Sequence, residues 1–123
     1  MRRPVVRPYV AAAVQMSSGP DRPGNLARAS ALARDAAARG ARLILLPEVF
    51  AWRGPRDAEA AVAEPVPGPT TAALGALARE LGVYLCGGSI LERASEEARA
   101  FNTSCLFDPT RSEERRVGKE CRL

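Results

Sequence analysis

The sequence predicts an α/β fold with the element order β-α-β-α-β-β. Residues 43–46 are four consecutive aliphatic residues without polar alternation, a pattern typical of a strand buried on both faces of a helix-covered sheet. Residues 25–39 and 70–81 carry apolar side chains at helical spacing, and Gly40 and Gly82 follow them as stops. Because strands and helices alternate, we expect parallel pairing through right-handed crossovers.

The first strand and the first helix precede this buried strand. Residues 9–16 form an apolar strand, and residues 17–24 form a loop rich in Ser, Gly, Pro and Asp. The helix at 25–39 leads to the strand at 42–46. That strand ends at Pro47, because proline has no N–H to donate and its φ angle is fixed. Together these elements predict a β-α-β unit.

An irregular segment opens the second half of the fold. Residues 52–69 contain four prolines, with a short helix expected over 57–63. We expect Thr70 to cap the second long helix, which Gly82 ends. A third strand is predicted at 83–91.

The last predicted strand covers 101–107, after a polar connection at 92–100. It ends at Asp108-Pro109, a turn signal suited to a hairpin. The predicted chain path therefore makes two parallel crossovers and then returns antiparallel.

Composition excludes several kinds of site. The chain has no histidine, so it cannot build a Ser-His-Asp or Cys-His pair or a His-ligated metal site. Neither Gly-x-x-x-x-Gly-Lys-Ser/Thr nor Gly-x-Gly-x-x-Gly occurs, which argues against a phosphate-binding loop. We expect no cofactor, and chemistry must come from carboxylates or thiols. Cys86 and Cys105 lie within predicted strands, where small buried thiols serve packing.

Location and macromolecular partners follow from the same counts. No apolar stretch approaches about 20 residues, so no membrane span is expected. The basic start lacks a following apolar region and the three cysteines suit free thiols, so we expect a cytoplasmic protein. Residues 111–123 carry +2 of the net charge of +4, and the other +2 is spread along residues 1–110 without a basic cluster. We therefore expect no nucleic-acid partner.

The composition changes abruptly at Arg111. The preceding 110 residues hold 13 arginines and no lysine, whereas Lys119 is the single lysine of the chain. The string from Arg111 to Cys121 resembles one translated frame of a common sequencing adapter; a native charged helical tail is the alternative. We therefore divide the chain into residues 1–110 and a non-native tail at 111–123.

Glu48 is the candidate catalytic residue. It follows the buried strand directly and lies between apolar neighbours. Ligands of open α/β sheets bind at the carboxyl ends of the strands. A carboxylate at that edge is either exposed without a role, or partly desolvated and available as a general base.

For several other residues the sequence leaves two roles open, one in a site and one in packing. Gly87-Gly88 marks either a close approach of the backbone to a ligand or, more commonly, a bulge or tight packing. Phe50 and Trp52 either line a substrate pocket or pack in the core. We expect the Asn102 amide to bond local backbone, since buried amides are satisfied.

An ordered set of short motifs runs along residues 8–110. They are Ala-Val-Gln-Met at 13–16, Asn25, Leu-Leu-Pro-Glu-Val-Phe at 45–50, Gly-Gly-Ser at 87–89, and Phe-Asn-Thr-Ser at 101–104 with Phe-Asp-Pro at 107–109. In order and spacing this set resembles the amino-terminal part of carbon–nitrogen hydrolases, the nitrilase superfamily, and most of all its small-amidase and omega-amidase branch.

The resemblance implies a partial α-β-β-α sandwich of the nitrilase type and a Glu-Lys-Cys triad that acts through a thioester. Glu48 matches the glutamate of that triad. The family's lysine, in a Tyr-Arg-Lys string after the Phe-Asp-Pro turn, and its cysteine, in a Gly-x-x-x-Cys-Tyr-Asp context, have no counterpart in this sequence. The resemblance thus implies a fragment of a homo-oligomeric hydrolase of small amides or nitriles, and we expect the fragment to be inactive.

A small flavodoxin-like or Rossmann-like domain, binding a ligand or a partner without catalysis, is the alternative. It predicts a sheet covered on both faces by the chain's own helices. The hydrolase fragment predicts that one apolar face of the same sheet is left open.

Overall fold

A computed structural model describes residues 3–4, 7–93 and 100–110, and the backbone of 114–122. The strands are β1 Val10–Ala13, β2 Ala41–Leu45, β3 Tyr84–Cys86, β4 Ile90–Arg93, β5 Ala100–Phe107 and β6 Glu114–Arg122. The helices are α1 Arg22–Ala38, α2 Glu59–Val62 and α3 Pro69–Leu81, with a 3₁₀ turn at Arg56–Ala58 before α2.

The pairing of the strands confirms the predicted chain path. β1 pairs with β2 and β2 with β3, both in parallel, and β5 then runs antiparallel to β3. β6 pairs antiparallel with β5, as the hairpin signal at Asp108-Pro109 predicts. The mixed sheet with its helices confirms the α/β class.

The predicted strand at 83–91 is two strands, β3 and β4, which follow one another along the same partner, β5. Leu85 pairs with Phe107 and Ile90 pairs with Thr103, so five steps on one strand span four steps on the other. The extra residue lies at 87–89, where the Gly87 N–H still bonds the Cys105 carbonyl at 2.9 Å. The segment is therefore a β-bulge, which was one of the two expectations for these glycines.

Helix α1 begins three residues earlier than predicted. The Asp21 carboxylate accepts a hydrogen bond from the Gly24 N–H at 3.1 Å, and a proline lies in the first turn. Both features suit a helix start, so the loop expected at 17–24 is shorter. The predicted end is confirmed, since Gly40 follows the C-cap with a φ of 95°.

The start of α3 differs from the prediction in its cap. Gly68 is the N-cap residue, and the Thr71 hydroxyl accepts from its N–H at 2.8 Å. Thr70 is buried instead, donating to the Glu64 carboxylate from its N–H at 3.1 Å and its hydroxyl at 2.5 Å. A buried carboxylate therefore caps this helix, since it satisfies a free N–H at the positive end of the helix dipole.

The main core lies between one face of the sheet and the helices α1 and α3. Both helices and the sheet contribute to a single buried cluster, which includes Ala29, Ala33, Ile44, Leu74, Leu77 and Leu85. On the opposite face, here called the open face, Leu45 is 39% exposed and Tyr84 is 47% exposed. Among the described residues the long helices cover one face of the sheet, which contradicts the flavodoxin-like alternative.

One end of the open face is nevertheless covered. Val49, Trp52 and Ala63 pack with Leu91 of β4 and Ala100 of β5 into a second, smaller cluster. This cluster lies beside the turn that follows β2, and so it borders the candidate site.

No helix among the described residues is long and apolar enough to cross a membrane.

Candidate active site

Glu48 lies in the turn that follows β2, here called the Glu48 turn (residues 46–50). The ladder continues briefly after Leu45, because the Leu46 N–H bonds the Cys86 carbonyl at 2.9 Å. Pro47 then interrupts the ladder, as predicted. The Glu48 side chain lies at the carboxyl end of the parallel strands, the edge at which α/β sheets bind ligands. It is exposed, so the described residues do not supply the partial desolvation that was one of the two alternatives for this carboxylate.

The bulge packs directly against the Glu48 turn. Gly88 has a φ of 60°, and a Cβ atom at this position would lie 1.9 Å from the Pro47 carbonyl oxygen. Only glycine fits such a contact. The close backbone approach suggested by Gly87-Gly88 is therefore an approach to the Glu48 turn, from which the candidate general base projects.

Ser89 fixes the second half of the turn, a role that sequence reasoning missed. Its hydroxyl oxygen accepts a hydrogen bond from the Val49 N–H at 2.9 Å, and both residues are buried. Val49 has a φ of 49°, a left-handed conformation that is unusual for a β-branched residue. Such strain persists where the surroundings over-determine it, and Gly88 and Ser89 supply those surroundings here.

Replacement of Ser89 by alanine should lower the free energy of unfolding by about 1–3 kcal/mol. The substitution leaves the buried Val49 N–H without its acceptor, and the cost is the desolvation of that donor. Urea denaturation followed by circular dichroism measures the change. Ser104→Ala is the matched control, since among the described residues the polar contact of the Ser104 hydroxyl is a long one of 3.9 Å to the Cys86 sulfur. Equal losses in the two variants would contradict the role of Ser89.

Asn102 bonds Glu48 rather than local backbone, so the expectation for this residue was wrong. Its Nδ2 donates to Glu48 Oε1 at 2.9 Å, across 54 residues of sequence. Asn102 shares the open face with Leu106, because alternate residues of a strand lie on the same side. The contact depends on the pairing of β5 with the neighbouring strands, which local sequence does not specify.

Phe50 and Trp52 are core residues in this structure. Phe50 is 0% exposed within the main cluster, and Trp52 is 9% exposed within the smaller one. Asn25 anchors the same segment from α1, donating through Nδ2 to the carbonyls of Gly19 at 2.8 Å and Ala51 at 2.9 Å. This buried amide was noted in the sequence as a motif residue, but its anchoring role was missed.

The two cysteines with described side chains lie in strands, in the positions for which the sequence predicts a packing role. Cys105 is buried in the main core, and Cys86 is half-buried on the open face with its sulfur near Ser104. Within residues 7–93 and 100–110, the Glu48 carboxylate has a hydrogen bond to Asn102 and to neither thiol. The side chain of Cys121 lies outside the described residues. The same ranges contain no cluster of three potential metal ligands.

A cavity of about 620 Å³ opens elsewhere on the sheet. Its lining includes Tyr9, Arg42, Leu43, Tyr84 and Leu106. Arg42 and Tyr84 lie at the beginnings of β2 and β3, so this cavity is at the opposite strand end from Glu48. It is therefore separate from the candidate site.

A model of the carbon–nitrogen hydrolase family matches residues 10–120 of this chain. The chain belongs to the carbon–nitrogen hydrolase family. The match covers both the Glu48 turn and the bulge that supports it, and it extends into the segment beyond Arg111. The interpretation of residues 111–123 as a non-native tail stays a prediction.

Relatives of this chain include omega-amidases. The chain is 38% identical over 96 residues to omega-amidase NIT2 of Xenopus tropicalis, a match that covers 78% of this chain and 34% of the relative. The chain thus spans about a third of the length of the curated relatives that it matches.

Solved structures support the same assignment. Nit3 of Saccharomyces cerevisiae, a member of branch 10 of the nitrilase superfamily, is similar with a TM-score of 0.68 and 27% identity, over 86% of this chain and 40% of that one. The NitFhit protein of C. elegans has a TM-score of 0.78 at 21% identity, over 94% of this chain and 28% of that one. This second likeness shows the fold alone.

Proposed function

We propose that this chain is the amino-terminal part of a hydrolase that converts a small amide or nitrile to a carboxylate and ammonia, with Glu48 as its general base. The observation that carries the proposal is the placement of Glu48. An exposed carboxylate projects from the end of β2, and Gly88 and Ser89 hold the backbone of its turn. The omega-amidase relatives support a small amide as the substrate class.

In the proposed reaction, Glu48 accepts the proton of a cysteine thiol, and the resulting thiolate attacks the carbonyl or nitrile carbon. A lysine ammonium offsets the charge that develops on the oxygen or nitrogen. With an amide, protonated Glu48 then gives its proton to the departing amino group, which leaves as ammonia and yields the thioester. With a nitrile, the attack yields a thioimidate, which adds one water before ammonia leaves and the same thioester forms. Glu48 then takes a proton from the water that attacks the thioester. Hydrolysis releases the carboxylate and regenerates the thiol.

The described residues supply one member of this triad. The single lysine of the chain, Lys119, lies beyond Arg111, and neither Cys86 nor Cys105 bonds Glu48. Among the described side chains no thiol is hydrogen-bonded to the Glu48 carboxylate, so none of them is placed for activation. We therefore propose that the chain does not turn over substrate by itself.

A chimera tests the proposed role of Glu48. Residues 8–110 replace the matching segment of Xenopus tropicalis omega-amidase, which then supplies the rest of the domain. We expect ammonia release from a small amide by the chimera and none from the 123-residue chain. Glu48→Gln in the chimera should lower kcat by at least about 100-fold, the usual scale of lost general acid–base catalysis.

Glu80→Gln is the matched control for that experiment. Glu80 is exposed on α3 and pairs with Arg34 at 2.7 Å, so its loss should leave kcat unchanged. An active chimera that keeps its rate with Glu48→Gln would overturn the catalytic role. Amidase activity of the chain alone, removed by Glu48→Gln, would overturn the proposed inactivity.

We also propose that the parent protein is a cytoplasmic homo-oligomer and that residues 111–123 are foreign to it. The nucleotide sequence around codon 111 tests the last point. Bases that match a sequencing adapter would support a foreign tail. Genomic bases that encode Tyr-Arg-Lys in another frame would instead show a frameshift.

A further inference from the structure

Among the described residues, Asn102 makes the single side-chain hydrogen bond to the Glu48 carboxylate. Its Nδ2 lies 2.9 Å from Glu48 Oε1. Glu48 Oε2 has no hydrogen-bond partner in the same part of the chain, so one oxygen is held and the other remains available for a proton. We propose that Asn102 is a positioning residue that holds Glu48 for proton transfer, an inference that rests on the proposed function.

The orientation of the Asn102 amide supports this role. Its Oδ1 is buried and has no hydrogen-bond partner among the described residues. A buried acceptor without a partner is unfavourable and calls for an explanation. Flipping the amide would turn Oδ1 toward the carboxylate oxygen and remove the donor. The contact with Glu48 therefore fixes which way the amide lies.

The backbone of the Glu48 turn is already held by other residues. Gly88 contacts the Pro47 carbonyl, and Ser89 accepts from the Val49 N–H. These contacts leave the rotamers of the Glu48 side chain undetermined. An exposed glutamate samples several rotamers, and Asn102 selects among them through a bond to an ionised acceptor, the stronger class of hydrogen bond.

The chemistry of an amide suits this purpose better than that of a cation. Arginine or lysine in place of Asn102 would add a second full positive charge to that of the proposed triad lysine and would further oppose the acceptance of a proton by the carboxylate. Asparagine donates a hydrogen bond while remaining neutral. Asn102 can therefore fix the geometry of a base without neutralising it.

Nuclear magnetic resonance of the 123-residue chain tests the contact directly. We expect side-chain three-bond couplings of Glu48 to show one dominant rotamer in the unmodified protein and rotamer averaging in Asn102→Ala and Asn102→Asp. In Glu48→Gln, the side-chain amide resonances of Asn102 should move, while those of Asn25, which bonds backbone carbonyls, should stay in place. Ser104→Ala is the control on the same strand, and it should leave the Glu48 couplings unchanged.

Activity in the omega-amidase chimera separates positioning from a merely structural role. Asn102→Ala should lower kcat about 10-fold, since misplacement of a catalytic group slows the chemical step, and should leave KM within about twofold. Rotamer averaging of Glu48 in the unmodified protein would overturn the proposal even if the variants do not fold. An unchanged kcat in Asn102→Ala would also overturn it. Full activity with Glu48→Gln would instead refute the proposed function, while the coupling measurements would still report on the contact.

Discussion

Phe50→Ala should lower the free energy of unfolding by about 3–5 kcal/mol. Phe50 is 0% exposed and belongs to the main core, two residues after Glu48. Truncation removes the buried ring and leaves a cavity between the sheet and the helices, which the surrounding structure fills only in part. Since a small domain is stable by about 5–15 kcal/mol, this one side chain carries a large share of the total.

Denaturation with urea measures this loss, and Tyr9→Ala provides the comparison. Tyr9 is an aromatic residue that is 66% exposed, so its truncation should change stability by no more than about 0.5 kcal/mol. A loss below about 1 kcal/mol for Phe50→Ala would show that the ring is not a core residue. A pocket wall would then be the better assignment.

Gly88→Ala is the second substitution with a large expected effect, about 3 kcal/mol of destabilisation. The new methyl group would lie 1.9 Å from the Pro47 carbonyl oxygen and 2.5 Å from that of Leu46. Both are backbone atoms, so relief requires movement of the Glu48 turn. The free energy of unfolding and, in the chimera, kcat should both fall.

Gly82→Ala separates the steric contact from the backbone conformation. Gly82 has a φ of 67°, close to that of Gly88, but a Cβ atom there meets nothing within 4 Å. Its replacement should therefore cost only the left-handed conformation, about 1–2 kcal/mol. If the two alanine variants lose equal stability and both keep kcat, the packing of Gly88 against the turn does not contribute to activity.

The sequence predicts those parts of the fold that local patterns determine. The aliphatic run at 43–46 predicts the strand β2, but the expected burial on both faces was wrong for the described residues, since Leu45 is 39% exposed. Pro47 ends the ladder, and Gly40 and Gly82 stop their helices with positive φ angles. The position of Glu48 at a strand end follows from these local rules. The family resemblance adds its proposed role.

The remaining parts of the site depend on contacts between distant residues. Ser89 reaches Val49 across 40 residues and Asn102 reaches Glu48 across 54. Thr70 was expected to cap its own helix, but Glu64 takes that place because the chain before α3 folds back over the helix start. Periodicity and propensity carry no information on such partners, since these depend on how whole elements pack.

The bulge also implies that a chain one residue shorter at this point would form a more regular sheet. β3 and β4 pair with β5 in registers that differ by a single residue, so deletion of one residue at 87–89 would join them into one unbroken ladder. That ladder would gain regular pairing and lose the segment that shapes the Glu48 turn. A regular ladder and the present shape of the Glu48 turn thus make opposite demands on the length of this segment, and bulges are over-represented next to active sites.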